Sequence, residues 1–247
     1  MHSSTTAFLL TLVPFLTLAA PTSSTPLPSA ANTTVDGTAD NLSLIQSLIL
    51  APKAVDRIKL IPNDSDFVFD FNNPPSDTLT TGKGGHTVRA DRESFPPLIG
   101  TGVSMTLGFL GPCGFNTPHV HPRSSEINVV VKGSLVAEFT LENGARTITN
   151  TVLTNQMTVF PQGALHTELN PDCTDALFVA GFASEDPGVQ QEAQTLFGFG
   201  AEAVEAAVGN GFTFEGGDVD KFRAAIPANV ALGVESCLKK CNIAKNK

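Results

Sequence analysis

The chain has 247 residues, a net charge of −9 and a hydrophobic content of 41%, which is the composition of an ordinary globular protein with one or two domains. The negative charge argues against binding to nucleic acid or to an anionic membrane through a general electrostatic field. The chain contains 17 Phe but no Tyr and no Trp, so Phe must supply most of the aromatic core, and tyrosyl-radical chemistry is excluded.

The first 20 residues have the pattern of a secretory signal peptide. An apolar run from Ala7 to Ala20 ends in small residues and is too short to span a bilayer, which takes about 20 residues. Met1–Thr6 contains no Lys or Arg, so the α-amino group is the only positive charge there. The alternative is an N-terminal core helix, which Pro14 disfavours. We therefore expect cleavage near Ala19 or Ala20 and a secreted, extracellular protein.

Residues 21–41 are rich in Ser, Thr, Pro and Ala, and this composition predicts a flexible leader. In a secreted protein, three Asn-x-Ser/Thr sequences become possible acceptors of N-linked glycans. They begin at Asn32, Asn41 and Asn63.

Three short elements are predicted between the leader and the main run of strands. Leu42–Ala51 has helical spacing of apolar residues, and Pro52 would end that helix. Phe67–Phe71 alternates like a short strand. Gly82–Gly85 predicts a turn, and it does not match a phosphate-binding loop because no Lys-Ser or Lys-Thr follows at the required spacing.

From Val103 onward, apolar residues recur with a period of two, which is the pattern of β-strands. Turn residues separate the runs, and Asn143-Gly144 is a strong signal for a hairpin. Many short strands at regular spacing predict an all-β fold, either an antiparallel sandwich or a barrel. The predicted strands are Val103–Leu110, Glu126–Lys132, Leu135–Leu141, Thr147–Leu153, Met157–Phe160 and Ala176–Ala183.

After the strands the pattern changes to short helices, which predicts a helical appendage on the barrel rather than a second domain. No internal repeat is visible, so we expect one domain over residues 42–247, with the barrel at about 65–185 and the helices at about 187–241. The predicted helices are Val189–Phe197, Glu202–Val208, Val219–Ile226 and Val230–Leu238.

Three of the five histidines lie in two short boxes, residues 118–126 and 161–166. Together with one glutamate they form a ligand set suited to a divalent transition metal, because imidazole and carboxylate are both common metal ligands. The alternative is a pair of exposed histidines beside a hairpin and a third elsewhere. The candidate metal ligands are His119, His121, Glu126 and His166.

The spacing within the boxes predicts how these side chains could converge. Alternation along a strand places His119 and His121 on one face, about 6.6 Å apart. Pro122 would break that strand, so that Glu126 could open the next strand and face inward. Gly163 allows a tight entry into a third strand that carries His166. Three strands would then direct four ligands into one barrel.

The four cysteines are expected to form disulfides in a secreted protein, although the sequence alone allows three connectivities. Cys113 precedes the first box and Cys173 follows the second, so convergence of the boxes would bring these two together. Cys237 and Cys241 lie one helical turn apart. We therefore expect the pairs Cys113–Cys173 and Cys237–Cys241, with a metal site at Cys-x3-Cys as the alternative.

The two boxes resemble the cupin motifs, Gly-x5-His-x-His-x3,4-Glu-x6-Gly and Gly-x5-Pro-x-Gly-x2-His-x3-Asn. The opening glycine of the second motif is missing, and Asn155 stands near its place. The opening glycine of the first motif is expected near Cys113, and Gly114 stands beside it. Residues 118–126 also resemble the His-x-His-Pro-Arg-x-x-Glu signature of germins, and Leu141–Arg146 is similar to the germin-like proteins of the spherulin group. The matching residues include Gly133, Pro161, Gly163 and Asn170.

The resemblance implies a single jelly-roll β-barrel that binds manganese, with C-terminal helices in the contacts of a homo-oligomer, a trimer or a hexamer. Zinc, iron and copper remain alternatives. On affinity alone an imidazole-rich site prefers zinc or copper, because manganese is lowest in the divalent order.

The resemblance leaves several activities open, with superoxide or another small molecule as the substrate. One is superoxide dismutation, and another is oxalate oxidation. Asn116 matches one of two asparagines that oxalate oxidases place at the substrate, which makes it a candidate substrate contact, but the other position is Thr106 here. Further alternatives are a non-enzymatic stress or structural protein and a binding module for a small acid or hormone. Glu138 and Glu168 are candidate general bases at the barrel mouth, although ordinary structural roles are the expectation for both.

Overall fold

A computed structural model of the chain describes residues 37–209 and 224–244. Several predicted features lie outside the described residues. They are the signal peptide, most of the leader, the possible glycan acceptor at Asn32 and the first five residues of the predicted helix Val219–Ile226. Within the described part, no helix combines the length and the apolar character needed to cross a membrane.

The described residues form two antiparallel sheets. The strands are β1 (Leu79–Gly82), β2 (Gly85–Ala90), β3 (Ser104–Leu110), β4 (Gly114–Val120), β5 (Glu126–Lys132), β6 (Ser134–Thr140), β7 (Ile148–Leu153), β8 (Met157–Phe160), β9 (Leu165–Leu169), β10 (Ala176–Phe182), β11 (Gln190–Gln191) and β12 (Ala231–Leu232). The first sheet has the order β1-β2-β3-β10-β5-β8, and the second has the order β11-β4-β9-β6-β7, with β12 paired to β4. This arrangement is a jelly-roll sandwich, which confirms the predicted fold class.

All six strands predicted from the period of two are present, with bounds that shift by one residue at most at either end. The Asn143-Gly144 hairpin joins β6 to β7, and Gly144 adopts a φ of 94° that the turn requires. The strands β1 and β2 were not predicted, because their Thr, Gly and Arg residues carry little alternation of apolar side chains.

The predicted strand Phe67–Phe71 is wrong. A 3-10 helix covers Asp64–Phe67, and residues 68–71 form no strand. Phe69 contacts Phe71 edge to face at 4.8 Å between ring centroids and also approaches Phe95 at 5.7 Å. The alternating phenylalanines therefore serve an aromatic cluster beside the sheet rather than a strand within it.

Five helices have described bounds: α1 (Gly37–Leu50), α2 (Ala54–Leu60), α3 (Glu192–Leu196), α4 (Ala201–Val208) and α5 (Glu235–Lys240). Two further 3-10 helices cover Ser76–Thr78 and Pro96–Leu98. Helix α1 begins five residues before the prediction, and α2 was not predicted. The predicted helix Val230–Leu238 is only partly correct, because Ala231–Leu232 is strand β12 and the helix begins at Glu235.

The main core lies between the two sheets. Its largest side chains are phenylalanines, as the absence of Tyr and Trp requires, and Phe160 and Phe178 are almost fully buried. Burial of each such side chain stabilises the fold by about 1.5–3 kcal/mol. The other members of this cluster are Leu110, Val130, Leu135, Ala137, Val152, Ala176, Ala180, Phe182 and Val230.

The expected disulfide pairing is wrong. The disulfides join Cys113 to Cys237 and Cys173 to Cys241, with Cα separations of 5.6 and 5.3 Å. The premise of the prediction is correct, because the backbone N–H of Cys113 donates to Asp172 and brings the two barrel loops together. However, helix α5 packs on both loops, so each helical cysteine reaches a different loop instead of its neighbour on the helix.

Two tight turns place a non-glycine residue in the left-handed region. Cys113, before β4, has a φ of 60°, and Asn155, before β8, has a φ of 66°. They occupy the positions where the two sequence motifs would have their opening glycines. Asn tolerates this conformation better than most residues, which explains how the second turn forms without glycine.

Candidate metal centre

The four candidate ligands of the two boxes lie together inside the barrel. His119 belongs to β4 and His121 follows that strand, while Glu126 begins β5 and His166 lies on β9. One potential ligand atom from each of the four lies within 4.8 Å of the others, and all four side chains are buried. The structure therefore brings both sheets to one cluster of three imidazoles and one carboxylate.

A β-bulge in β4 makes this convergence possible. Asn116 pairs with Glu168 on β9 and His119 pairs with His166, so three residue steps on β4 face two steps on β9. In a regular strand, a residue three steps from Asn116 would point to the opposite face, because side chains alternate along a strand; the bulge returns His119 to the face of Asn116. Pro118, which has no backbone N–H, lies within the irregular stretch, where the loss of a ladder hydrogen bond is tolerated.

Backbone carbonyl groups fix the orientation of all three imidazole rings. The Nδ1 atoms of His119, His121 and His166 lie 2.8, 2.6 and 2.9 Å from the carbonyl oxygens of three backbone groups. Because a carbonyl oxygen can only accept, each Nδ1 carries the proton and donates it. Each Nε2 is then left with a lone pair for a metal, which is the usual arrangement around metal-binding histidines. The accepting residues are Thr117, Gly188 and Ala164.

Glu126 presents one carboxylate oxygen to the centre of this cluster. Its Oε2 lies 3.1 Å from Nε2 of His121 and 3.2 Å from Nε2 of His166. Its Oε1 accepts a hydrogen bond from Nδ2 of Asn128 at 3.1 Å. Separations near 3 Å are those of neighbouring ligand atoms around an ion held at roughly 2.1 Å, so the donor set fits a divalent transition metal.

The ionisable groups of the cluster perturb one another strongly. Burial, with the nearby His166 and His121, lowers the pKa of His119 to about 3. Burial also opposes ionisation of Glu126, but the proximity of the same two histidines outweighs it and holds the pKa of Glu126 below its usual range. A second buried carboxyl, Glu168, has its pKa raised to about 8 by burial and by the charge of Glu126. A bound cation would relieve this concentration of buried carboxylates.

Comparison with known proteins places this arrangement in a family. The family model described as "Cupin" matches residues 69–220. The chain belongs to the cupin family. It is 44% identical over 198 residues to Spherulin-1A of Physarum polycephalum, an alignment that covers 80% of this chain and 78% of the relative. The resemblance of the sequence to cupins of the germin and spherulin groups is thereby confirmed.

Oxalate oxidases are also similar to this cupin. Oxalate oxidase 1 of Hordeum vulgare is 33% identical over 135 residues, which cover 54% of this chain and 67% of the relative. A solved structure of oxalate oxidase in complex with the substrate analogue glycolate aligns with a TM-score of 0.58 and 28% identity, covering 66% of this chain and 82% of the solved chain.

The four candidate ligands His119, His121, Glu126 and His166 are called the metal-ligand cluster below, and this cluster borders a cavity of about 310 Å³ in this cupin. His119, His121 and Glu126 form part of its wall, and Thr106 on β3 forms another part. The charged side chains that line it are paired: Arg89 contacts Asp91 at 2.8 Å, and Asp186 contacts Arg92 and Arg123 at 3.1 and 2.6 Å. The cavity is large enough to admit a small molecule.

The sequence-predicted substrate contact, Asn116, lines the same cavity, but its amide is already engaged by the protein. Its Nδ2 donates to Oε2 of Glu168 at 2.8 Å, and its Oδ1 accepts from Nδ2 of Asn229 at 2.6 Å. Sequence reasoning missed Asn229 because it lies 113 residues from Asn116 and outside both boxes.

The two candidate general bases have different environments. Glu168 is buried and accepts from Asn116 and Asn128, so it lies within the polar network behind the cavity. Glu138 is exposed and accepts a hydrogen bond from Thr149 on the neighbouring strand. Nothing in its contacts connects Glu138 to the cavity among the residues that the structure describes.

Proposed function

We propose that this cupin is a secreted manganese protein that removes superoxide by dismutation. The observation that carries the proposal is the convergence of three imidazoles, each with its Nδ1 proton donated to a backbone carbonyl, and one buried carboxylate. His119, His121, Glu126 and His166 would hold the metal. When bound, manganese supplies the one-electron redox chemistry that dismutation needs.

The protein's own residues would do the remaining work. The backbone carbonyls keep the rings in place without a metal, so the site is organised before binding. The cavity gives a small reactant access to the cluster, and the pairing of its charged side chains avoids strong repulsion of an anion. Superoxide needs few specific contacts, which suits a cavity that has Thr106 at one of the two positions where oxalate oxidases place an asparagine.

Oxalate oxidation is the second candidate, and the similarity to oxalate oxidases favours it. Thr106 argues against oxalate oxidation, because it lines the cavity at one of the two positions where the sequence resemblance places an asparagine of oxalate oxidases. Its hydroxyl cannot supply an amide N–H donor. A non-enzymatic role remains a third candidate, supported by the similarity to Spherulin-1A.

The disulfides and the apolar N-terminal run support the proposal of secretion, because disulfides persist in oxidising compartments. Assembly into a homo-oligomer is also part of the proposal. Apolar side chains are exposed on the outer face of the first sheet, and a patch of this kind favours self-association. They include Met105, Ile127, Val131, Met157 and Val159.

The experiment is to purify the secreted full-length protein, measure its metals by inductively coupled plasma mass spectrometry, and assay superoxide removal and oxalate-dependent release of peroxide. The proposal expects one manganese ion per chain and rapid superoxide removal. Protein that carries only zinc would contradict the metal assignment. Manganese-loaded protein that removes no superoxide would contradict the activity, and peroxide release with oxalate would favour the second candidate.

A further inference from the structure

Asn229 lies on a C-terminal segment that is built into the barrel. The next residue, Val230, is fully buried in the main core, and its carbonyl oxygen accepts from the backbone N–H of Gly84 at 3.1 Å. Strand β12 follows and pairs with the start of β4. The disulfide between Cys113 and Cys237 then ties the segment to the barrel a second time. Asn229 is therefore held at a fixed place in the cavity wall.

One backbone donor determines the orientation of two carboxamide groups. The backbone N–H of Thr117 donates to Oδ1 of Asn229 at 2.8 Å, and because this N–H can only donate, the Asn229 amide must present its oxygen there. Its Nδ2 then faces Asn116 and donates to Oδ1 at 2.6 Å. Consequently Asn116 must direct its own Nδ2 toward Glu168, to which it donates at 2.8 Å.

This chain of hydrogen bonds has a consequence for the cavity. Both carboxamide oxygens are occupied by protein donors, whereas each carboxamide nitrogen has two N–H groups and makes one hydrogen bond to the described residues. Asn116 and Asn229 both line the cavity beside His119 and Glu126. The wall next to the metal-ligand cluster therefore has two amide N–H groups that no described residue accepts.

The charge of the cluster favours the same kind of ligand. Three neutral imidazoles, one carboxylate and a divalent cation would carry a net positive charge, which attracts an anion. Amide N–H groups beside that charge complement the acceptor oxygens of an oxyanion, and such charge-assisted hydrogen bonds are stronger than neutral ones.

We infer that Asn229 joins Asn116, the substrate contact predicted from the sequence, in a donor pair that binds the oxygen of a small oxyanion at the metal centre, and that Asn229 sets the orientation of Asn116. The inference rests on the proposed function in that a metal must occupy the cluster, and it adds Asn229 as a second binding residue. It also supplies a carboxamide from the C-terminal segment to a cavity in which Thr106 provides only a hydroxyl.

The test uses the full-length manganese-loaded protein, with glycolate as a carboxylate probe titrated by calorimetry and superoxide removal measured in parallel. In Asn229→Ala the loss of one charge-assisted hydrogen bond should weaken glycolate binding about tenfold. Asn229→Asp keeps the shape but replaces the donor by a negative charge, so binding should weaken further. The matched control is Asn150→Ala, at an exposed position on β7, which should bind glycolate as the wild type does.

Metal content and the electron paramagnetic resonance spectrum of the ligand-free manganese should stay unchanged in both variants, which separates anion binding from damage to the metal site. If the Asn229 variants bind glycolate more weakly but remove superoxide normally, Asn116 and Asn229 bind carboxylates specifically. If both glycolate binding and superoxide removal are reduced, the two residues bind small oxyanions in general.

Wild-type glycolate affinity in Asn229→Ala, or no glycolate binding by the wild type, would overturn the inference. If Asn229→Ala loses manganese, glycolate binding by the isosteric variant Asn229→Asp becomes the test. Wild-type glycolate affinity in Asn229→Asp would also overturn the inference. A wild type that removes no superoxide but loses glycolate affinity on substitution of Asn229 would contradict the proposed activity alone.

Discussion

His119 and His166 are direct partners across β4 and β9, with ring centroids 4.1 Å apart. Both rings face the interior because the bulge after Asn116 shifts the direction of the β4 side chains by one step. The metal-ligand cluster thus depends on the pairing of two strands within one sheet, and the other sheet adds Glu126 at the start of β5.

Replacement of one of the clustered histidines should abolish metal binding. We expect His121→Ala and His166→Ala each to reduce bound manganese from one ion per chain to a small fraction, because three ligands remain and the vacated space is buried. The matched control is His86→Ala, which removes a ring that stacks on Phe109 at 4.6 Å and belongs to no candidate metal-binding group among the residues that the structure describes. Unchanged manganese in His166→Ala by mass spectrometry would contradict the assignment.

The strands that form the sandwich could be predicted from the sequence where one face is apolar and the other is polar. In β6, Leu135, Ala137 and Phe139 lie in or against the core, and they alternate with less buried positions such as Glu138. In β5 the period of two comes from the other face, because Glu126 and Asn128 are buried whereas Ile127 and Val131 are exposed. In β1 no residue is buried, so the sequence carries no corresponding pattern. Alternating phenylalanines also predicted a strand at Phe67–Phe71 that does not form. Phe69 and Phe71 alternate there because both belong to an aromatic cluster outside the sheet.

The four residues of the cluster could be predicted because their types and spacings are local to two boxes. The bulge that aligns them could not be predicted, since Pro118 only indicates that the strand is irregular. The partners of Asn116 and the disulfides depend on where α5 and Asn229 dock, which is a long-range contact. The C-terminal segment that carries Asn229 is more than 100 residues from Asn116 in the sequence, so no local pattern around the boxes indicates that the two residues are in contact.

The disulfide from Cys113 to Cys237 should stabilise the fold by holding the C-terminal segment on the barrel. We expect Cys113→Ser and Cys237→Ser each to reduce the free energy of unfolding by about 2–5 kcal/mol, because the bond closes a loop of 124 residues. The double variant should lose no more than either single variant, since the two changes break the same bond. Urea unfolding of the three variants measures this.

Losses that add in the double variant would contradict the assigned pairing. Peptide mapping without reductant provides an independent check, and it should recover one peptide pair joined through Cys173 and Cys241 and another through Cys113 and Cys237.

Asp91 should make stability depend on pH in the acid range. Burial raises its pKa, but hydrogen bonds from the backbone and side chain of Ser94 and the nearby Arg89 outweigh this and hold the pKa below 3.8. Because the folded pKa is the lower one, the ionised carboxylate stabilises the fold above pH 3.8, and this contribution is lost as the pH falls through the folded pKa. Asp91→Asn should therefore reduce the free energy of unfolding by about 1–2 kcal/mol near neutral pH.

The difference between wild type and Asp91→Asn should shrink as the pH falls below 3.8, as measured by urea unfolding across the acid range. Asp175→Asn, at an exposed position, is the matched control and should follow the wild type. A constant difference at every pH would show that the effect of Asp91→Asn does not come from the charge.

Asn155 tests whether the left-handed turn before β8 requires a special residue. Its φ is 66°, its side chain is exposed, and its backbone N–H donates to Val130 at 2.8 Å. Asn155→Ala should reduce the free energy of unfolding by about 1 kcal/mol, because a Cβ without a local polar group disfavours this conformation. Asn155→Gly should be nearly neutral, since relief of the backbone strain offsets the greater entropy of the unfolded chain. Asn150→Ala, in a regular strand, should change stability by less than about 0.5 kcal/mol, and an equal loss at both positions would contradict a role for backbone conformation.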